Sequence, residues 1–422
     1  MHTGGVRDTP LCFQAPMIYK KEYFMKTAKY ILDENKPWIN ETFEALSKKL
    51  EVSAVRSRYK TPHLVDEDGM YYEKNPSDPV WWCKGFFGGI MAMMYAYTGN
   101  EEYLKTAKET EKILKEALIS YPDKVHHDVG FMYHITAGAI HKLTGSQESR
   151  ALNILAAQTL ASRFVLGGDF IRAWNNPNYG MPSTNFTIID CMLNLPLLYW
   201  ASEELGDDRF ARMAMAHADS TIKYHIRPDG SVIHIVVHDR ETGECVKTIG
   251  GQGAFDGSSW SRGQAWALYG FVLSYLSTKE QKYLDAAKRV ANYFIAATAD
   301  DWIPRGDFRV ADNAPLSSEG IVYDTSAGTC AACGLIELAN ILPEGEGGMY
   351  MNAAIKMMRA MSDAFIDLDP SRDGFLYGTS ARYPTNGDMK KADTNTSIIY
   401  GEFYFVEAIL KLKGSTFNPW VK

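Results

Sequence analysis

Short turns that stop one helix and start the next recur through the chain, and they leave it few possible folds. They read Tyr97-Thr98-Gly99-Asn100, Leu143-Thr144-Gly145-Ser146, Leu205-Gly206-Asp207, Leu276-Ser277-Thr278-Lys279 and Ile341-Leu342-Pro343. Glycine after an apolar run is a helix C-cap, and the Asn, Ser or Asp that follows is an N-cap. On both sides of each turn the apolar period is about 3.6 residues. A polar start then leads into an aromatic residue and an alanine-rich stretch, as in Glu101-Glu102-Tyr103-Leu104, Asp207-Asp208-Arg209-Phe210 and Glu280-Gln281-Lys282-Tyr283-Leu284. This is an internal repeat of helical hairpins.

The pattern predicts helices over 37–55, 82–98, 100–120, 128–144, 147–166, 186–205, 207–225, 260–276, 279–299, 326–342, 350–367 and 396–412. Six pairs close into a toroid with the first helix of each pair inside. Gly85-Phe86-Phe87-Gly88-Gly89 and Gly263-Gln264-Ala265-Trp266-Ala267 favour a closed barrel over an open solenoid, because small residues let inner helices approach closely. The links at the other end are long, about 167–185, 226–259, 300–325 and 368–395, so function is expected there. Ser231–Val237 alternates like a strand and predicts a small β-hairpin with the segment near Cys245-Val246. Everything else reads all-α. Residues 25–422 are expected to form one domain behind an N-terminal extension, 1–24, with Met17 or Met25 as a natural start.

Composition excludes several partners. The net charge is −7 and no Lys/Arg run is present, so nucleic-acid and membrane binding are not expected, although one placed arginine suffices for a single carboxylate. Cys12, Cys83, Cys191, Cys245, Cys330 and Cys333 lie scattered in apolar surroundings, and Cys330 and Cys333 read as structural thiols inside a helix. No apolar stretch of signal-peptide or membrane-span length appears, so a cytoplasmic protein, monomeric or weakly self-associating, is expected. No nucleotide loop or metal-ligand motif stands out, and no cofactor or metal is expected.

The chemistry-bearing residues collect at the predicted helix starts. Asp190 stands in the apolar run Ile188-Ile189-Asp190-Cys191-Met192-Leu193, where desolvation would raise its pKa toward that of a working acid. Asp128 follows His126-His127 and is either a helix cap or a second carboxylate; two carboxylates on successive inner helices suit acid/base work on glycosides. Trp82, Trp174, Trp260 and Trp266, four of the nine tryptophans, fall at this end and suit a sugar-stacking floor. An inward Arg262 needs an anion, either a structural carboxylate or that of a substrate. His234 and Gln252 are candidates for neutral hydrogen bonds to the same ligand.

From about residue 37 onward the chain resembles the unsaturated glucuronyl hydrolases of glycoside hydrolase family 88. The resemblance rests on Trp82 in W-x-x-G-F, H-D-V-G-F-M around Asp128, D-x-M-x-N-L-P-L-L around Asp190, His234, Gln252 and S-S-W-S-R-G-Q-A-W at 258–266. It implies an (α/α)6 barrel that removes a 4,5-unsaturated uronic acid from the non-reducing end of lyase-generated oligosaccharides. It further implies Asp190 as general acid and base, Asp128 as the second essential carboxylate, and Trp82, Trp174, His234, Gln252, Arg262 and Trp266 as sugar-binding residues. The loop Tyr377-Gly378-Thr379-Ser380-Ala381-Arg382 departs from the serine and lysine pattern with which some members hold a sulfated neighbouring sugar.

Other readings have the same fold. An unsaturated rhamnogalacturonyl hydrolase of family 105 shares the two-aspartate and R-G-Q-A-W stretches. A non-catalytic sugar-binding barrel would not need Asp190. A sugar epimerase would work through paired histidines, for which His126, His127, His134 and His234 are available.

Overall fold

The computed structural model describes residues 1, 26–175, 185–298, 300–311, 320–384 and 393–422. Nearly all of the expected N-terminal extension, with Cys12, Met17 and Met25, lies outside the described residues. Twelve α-helices are present among those residues: α1 (Ala28–Arg56), α2 (Phe86–Thr98), α3 (Glu101–Ser120), α4 (Ala139–Thr144), α5 (Gln147–Ala161), α6 (Leu195–Leu205), α7 (Arg209–Tyr224), α8 (Ser261–Thr278), α9 (Gln281–Thr298), α10 (Thr325–Ile341), α11 (Glu344–Phe365) and α12 (Ile399–Leu412). They form an (α/α)6 barrel.

The turn chemistry acts as the sequence predicts. Gly99, Gly145 and Gly206 take left-handed C-cap conformations, and Asn100 and Ser146 accept hydrogen bonds from the first turns of α3 and α5. Lys279 adopts the same left-handed geometry, at φ 61°, where a glycine is absent.

An inner ring runs α2, the segment Gly130–Gly138 with α4, α6, α8, α10 and α12, and α12 closes it by packing on both α10 and α2. Inner helices are buried almost all round: α8 is buried continuously from Ser261 to Ser274. The sixth pair joins the two ends of the chain, since α1 lies outside the ring against α11, α3 and α12. One apolar cluster reaches from Ile31 to Trp420. At the short-turn end the C-terminal tail supplies Trp420, 1% exposed, whose indole donates to Glu407 Oε2 and whose carbonyl accepts from His134 Nε2.

Several boundaries depart from the expected ones. α1 begins at Ala28 under a Thr27 cap and runs through Pro37, which the sequence reading takes as its start. α11 begins at Glu344 and not at 350; Gly347 and Gly348, poor helix formers, hide that start in the sequence, and glycine stands there because a Cβ would strike Ala339 O and Lys26 O. The helix expected over 147–166 stops at Ala161, and the chain turns into a hairpin of β3 (Phe164–Val165) and β4 (Phe170–Ile171). The stretch expected to be helical from 186 opens as a strand, β5 (Phe186–Ile188), followed by a 3-10 turn over Ile189–Leu193. The expected hairpin is present as β6 (Ile235–His238) with β7 (Cys245–Ile249), and β5 adds to it as a third strand. A further hairpin pairs β1 (Leu64–Val65) with β2 (Tyr71–Tyr72). Cys330 and Cys333 are buried free thiols within α10. Among the described residues no helix is long and apolar enough to cross a membrane.

Candidate active site

The three-stranded sheet places Asp190. In the β5–β6 register Ile188 pairs with Ile235, and the next amide, Ile189 N–H, donates to His234 O. Asp190 follows in the 3-10 turn, 7% exposed, and its Oδ2 lies 3.3 Å from His234 Nε2. His234 Nδ1 accepts the backbone N–H of Gln252, so the ring proton belongs on Nε2, facing the carboxylate. Gly251, at φ 63°, makes this possible: a Cβ there would fall 2.1 Å from His234 Nδ1.

Asp128 lies in the turn before Gly130–Gly138, which is wound as a π-helix, a rare form frequent at functional sites. Gly130 lets Asn194 approach: a Cβ on it would meet Asn194 Cα at 2.7 Å. Asn194 links the two aspartates. Its Nδ2 donates to Asp190 O at 3.2 Å and to Asp128 Oδ1 at 3.5 Å, while its Oδ1 accepts from Phe131 N–H. The sequence motif N-L-P-L contains Asn194, but its importance appears only when the two helix starts meet.

His126 Nδ1 and His127 Nε2 stand 3.0 and 3.5 Å from Asp128 Oδ2. Burial pushes the Asp128 carboxyl up, but His127, His126 and Arg163 outweigh it and hold the group below its usual range. Burial lowers His127 to about 4. The sequence lists these three residues side by side; the structure makes them a converging trio, where no metal-ligand cluster was expected.

The aromatic residues divide into two sets. Trp82 and Trp174 are partly exposed, and Trp82 stacks on Tyr400 at 5.0 Å and touches Phe131, three residues beyond Asp128. Trp174 follows Ala173, whose carbonyl accepts from His127 N–H. Trp260 and Trp266 are 2% and 1% exposed; Trp266 meets Trp82 and Trp260 edge-on, and Trp260 packs on His234 with ring centres 4.4 Å apart. Trp266 thus lies behind Trp82 and Trp260, and its indole Nε1 is buried with no partner among the described residues.

Arg262 is likewise drawn inward. Its guanidinium donates to Asp324 Oδ2 and Ser380 O, each at 2.6 Å, and to Ala381 O, and it lies over the rings of Trp260 and Tyr400. Burial works against its charge, but Asp324 overcomes this and raises its pKa. Of the two anions open to Arg262, the structure supplies the structural carboxylate. Gln252 is half-buried, and its side-chain amide donates to Ala381 O at 2.7 Å. The loop at 380–383 thus connects Arg262 to the loop that carries Gln252.

Two carboxylates, an imidazole beside one of them, and partly exposed indoles equip this end for acid/base chemistry on a sugar. The sequence pattern of Glycosyl Hydrolase Family 88 matches residues 57–310. The chain is 34% identical over 362 residues to the unsaturated glucuronyl hydrolase of Bacillus sp. (strain GL1), taking in 85% of this chain and 92% of that protein. It is 31% identical to the unsaturated chondroitin disaccharide hydrolase of Streptococcus pyogenes serotype M1, over 88% of this chain and 90% of that one. The crystal structure of the Bacillus sp. GL1 unsaturated glucuronyl hydrolase, responsible for the degradation of glycosaminoglycan, superposes with a TM-score of 0.79 at 32% identity, over 89% of this chain and 98% of that one. With fold, aspartate motifs and relatives in agreement over most of its length, the chain belongs to glycoside hydrolase family 88 and is a hydrolase of glycosidic substrates.

Proposed function

We propose that residues 25–422 are one catalytic domain, an unsaturated glucuronyl hydrolase. It releases 4,5-unsaturated uronic acid from the non-reducing end of lyase-generated, glycosaminoglycan-type oligosaccharides. The observation that carries this reading is the joining of Asp128 and Asp190 through one Asn194, beside the exposed part of Trp82 and with His234 facing Asp190. The relatives named for unsaturated glucuronides and chondroitin disaccharides support the same substrate class.

The substrate's C4=C5 bond is a vinyl ether. Asp190, as the acid, delivers its proton to C4, and positive charge develops at C5 and the ring oxygen. Asp190, now a carboxylate, takes a proton from a water that adds to C5. The hemiketal formed at C5 opens to a ketone with cleavage of the C5–O5 bond, which leaves a hemiacetal at C1 that collapses and releases the remaining saccharide. Asp128, held ionised by its histidines and Arg163, orients sugar hydroxyls and stabilises the developing charge. Trp82 and Trp174 stack on the sugar, and His234 and Gln252 supply hydrogen bonds. Arg262 and Trp266 hold the loop and the indole floor in position and complete the sugar-binding set.

The test is loss of the ultraviolet absorbance of the unsaturated uronate, with disaccharides from chondroitin, hyaluronan, heparin and rhamnogalacturonan, beside Asp190→Asn. Loss on the glycosaminoglycan disaccharides that the variant abolishes is the expected result. Activity only on the rhamnogalacturonan disaccharide overturns the substrate class, and activity on none overturns the reaction.

A further inference from the structure

Beside the proposed reaction centre, one group of polar atoms lacks partners that account for it. His126, His127 and Asp128 each bring a ligand atom within 4.8 Å of the others, and His126 Nδ1 and His127 Nε2 lie 3.0 and 3.5 Å from Asp128 Oδ2. His126 sits at hydrogen-bond distance from the carboxylate and helps hold it ionised, whereas His127 Nε2 has no hydrogen-bond partner. The His127 side chain is fully buried, and its Nδ1 is unpartnered as well. Leaving a buried imidazole unsatisfied at both nitrogens costs free energy, so such an arrangement asks for an explanation.

Two imidazoles that converge on one carboxylate oxygen, one of them buried with both ring nitrogens unpartnered, are placed to share a cation with it. Donors held about 2.0–2.2 Å from a tetrahedral Zn²⁺ stand roughly 3.3 Å apart. The observed separations of 3.0 and 3.5 Å fall on either side of that edge length. Two imidazoles and one carboxylate form a three-ligand set with an open fourth position, and imidazole selects transition metals over Mg²⁺ or Ca²⁺. Among the described residues no other three such side chains converge in this way. The cation nearest in effect, Arg163, gives its N–H groups to the carbonyls of Val125, Arg172 and Ala173 and to Asn175 Oδ1. The His126 side chain is 24% exposed, so an ion reaches the trio without opening the core.

We propose that His126, His127 and Asp128 form a three-ligand site for Zn²⁺ or a similar divalent transition-metal ion, and that its occupancy inhibits the hydrolase. Bound metal takes the Asp128 carboxylate from the sugar and sets a second positive charge beside the one that develops at C5. The inhibitory half rests on the function proposed above; the binding half does not.

The test is calorimetric titration of the full-length, chelator-stripped protein with ZnCl₂, with CoCl₂ as a visible-absorbance probe of four-coordination. His126→Gln and Asp128→Asn are titrated in parallel, their folding checked by circular dichroism and thermal unfolding. The expected result is one ion per chain, bound roughly tenfold or more weakly by each folded variant, with the intense visible bands of tetrahedral Co²⁺ in the unsubstituted protein. Absence of saturable binding, or binding that both folded variants retain unchanged, overturns the site. Hydrolysis of an unsaturated disaccharide is expected to fall as Zn²⁺ saturates and to return on chelation; unchanged hydrolysis at saturation overturns the inhibitory half. Saturable, variant-sensitive binding by a protein that hydrolyses no unsaturated disaccharide supports the site and sinks the proposed function.

Discussion

His234 Nε2 stands 3.3 Å from Asp190 Oδ2, and the backbone holds it there: strand pairing brings the two residues together, and the Gln252 amide fixes the tautomer. The proposed acid and the imidazole beside it therefore belong to one sheet edge, built from segments about 45 residues apart in the chain.

Replacing Asp190 by Asn removes the proton that the mechanism requires and keeps the side chain's size. Hydrolysis is expected to fall roughly 10²- to 10⁴-fold or beyond detection. Thermal unfolding is expected to change little, and a variant that has lost its fold by circular dichroism would make the activity loss uninformative about the acid.

Gly251→Ala tests the alignment of His234. The new Cβ would lie 2.1 Å from Nδ1, and the left-handed backbone would cost about 1–2 kcal/mol. The expected outcome is a lowered kcat with a modest drop in Tm. Unchanged kcat would show that the Gln252–His234 contact does not serve the reaction.

Arg262→Met leaves Asp324 buried without its cation, and breaking such a pair costs about 3–5 kcal/mol. Adding Asp324→Asn is expected to recover part of that stability in denaturant unfolding. Activity is not expected to return, because Ser380 and Ala381 lose the guanidinium that ties their loop to the site.

Buried histidines make the fold acid-sensitive. Burial lowers His63 and His225 to about 3 and His127 and His134 to about 4. Between the ordinary histidine value and these, the unfolded chain binds protons that the native state refuses, so stability falls as pH drops from about 6.5 toward 4, by about 1.4 kcal/mol per pH unit for each group. Asp128, held low, adds a loss of the same sign at lower pH, as protonation passes through its folded value. Denaturant unfolding from pH 7 to 5 checks this, and His134→Gln is expected to flatten the slope by one histidine's share.

Trp420→Ala empties the plug at the short-turn end of the barrel and removes the indole that donates to Glu407. A loss of about 3–5 kcal/mol is expected, with kcat of the remaining folded protein preserved. A large kcat change at unchanged stability would show that the tail acts on the site and not on the core.

The barrel was legible in the sequence because its information is local: an apolar period, a glycine or asparagine at each turn, and small residues on the inner helices report on a few neighbouring positions at a time. The same holds for Asp128, Asp190 and Trp82, which announce themselves at helix starts. What Asp190 faces was not legible, because the strand at Phe186–Ile188 interrupts a helical apolar pattern and only its pairing with β6 decides the register. Nor were the protein partners of Arg262 and Trp266, since an arginine and a tryptophan in R-G-Q-A-W read alike whichever buried groups they meet. Asn194 and the convergence of His126 and His127 on Asp128 likewise depend on atoms whose neighbours come from other helices or from side-chain direction. Periodicity and caps set which segments are helices; the closing of the ring, which chooses the partner of each buried charge, decided how the site is built.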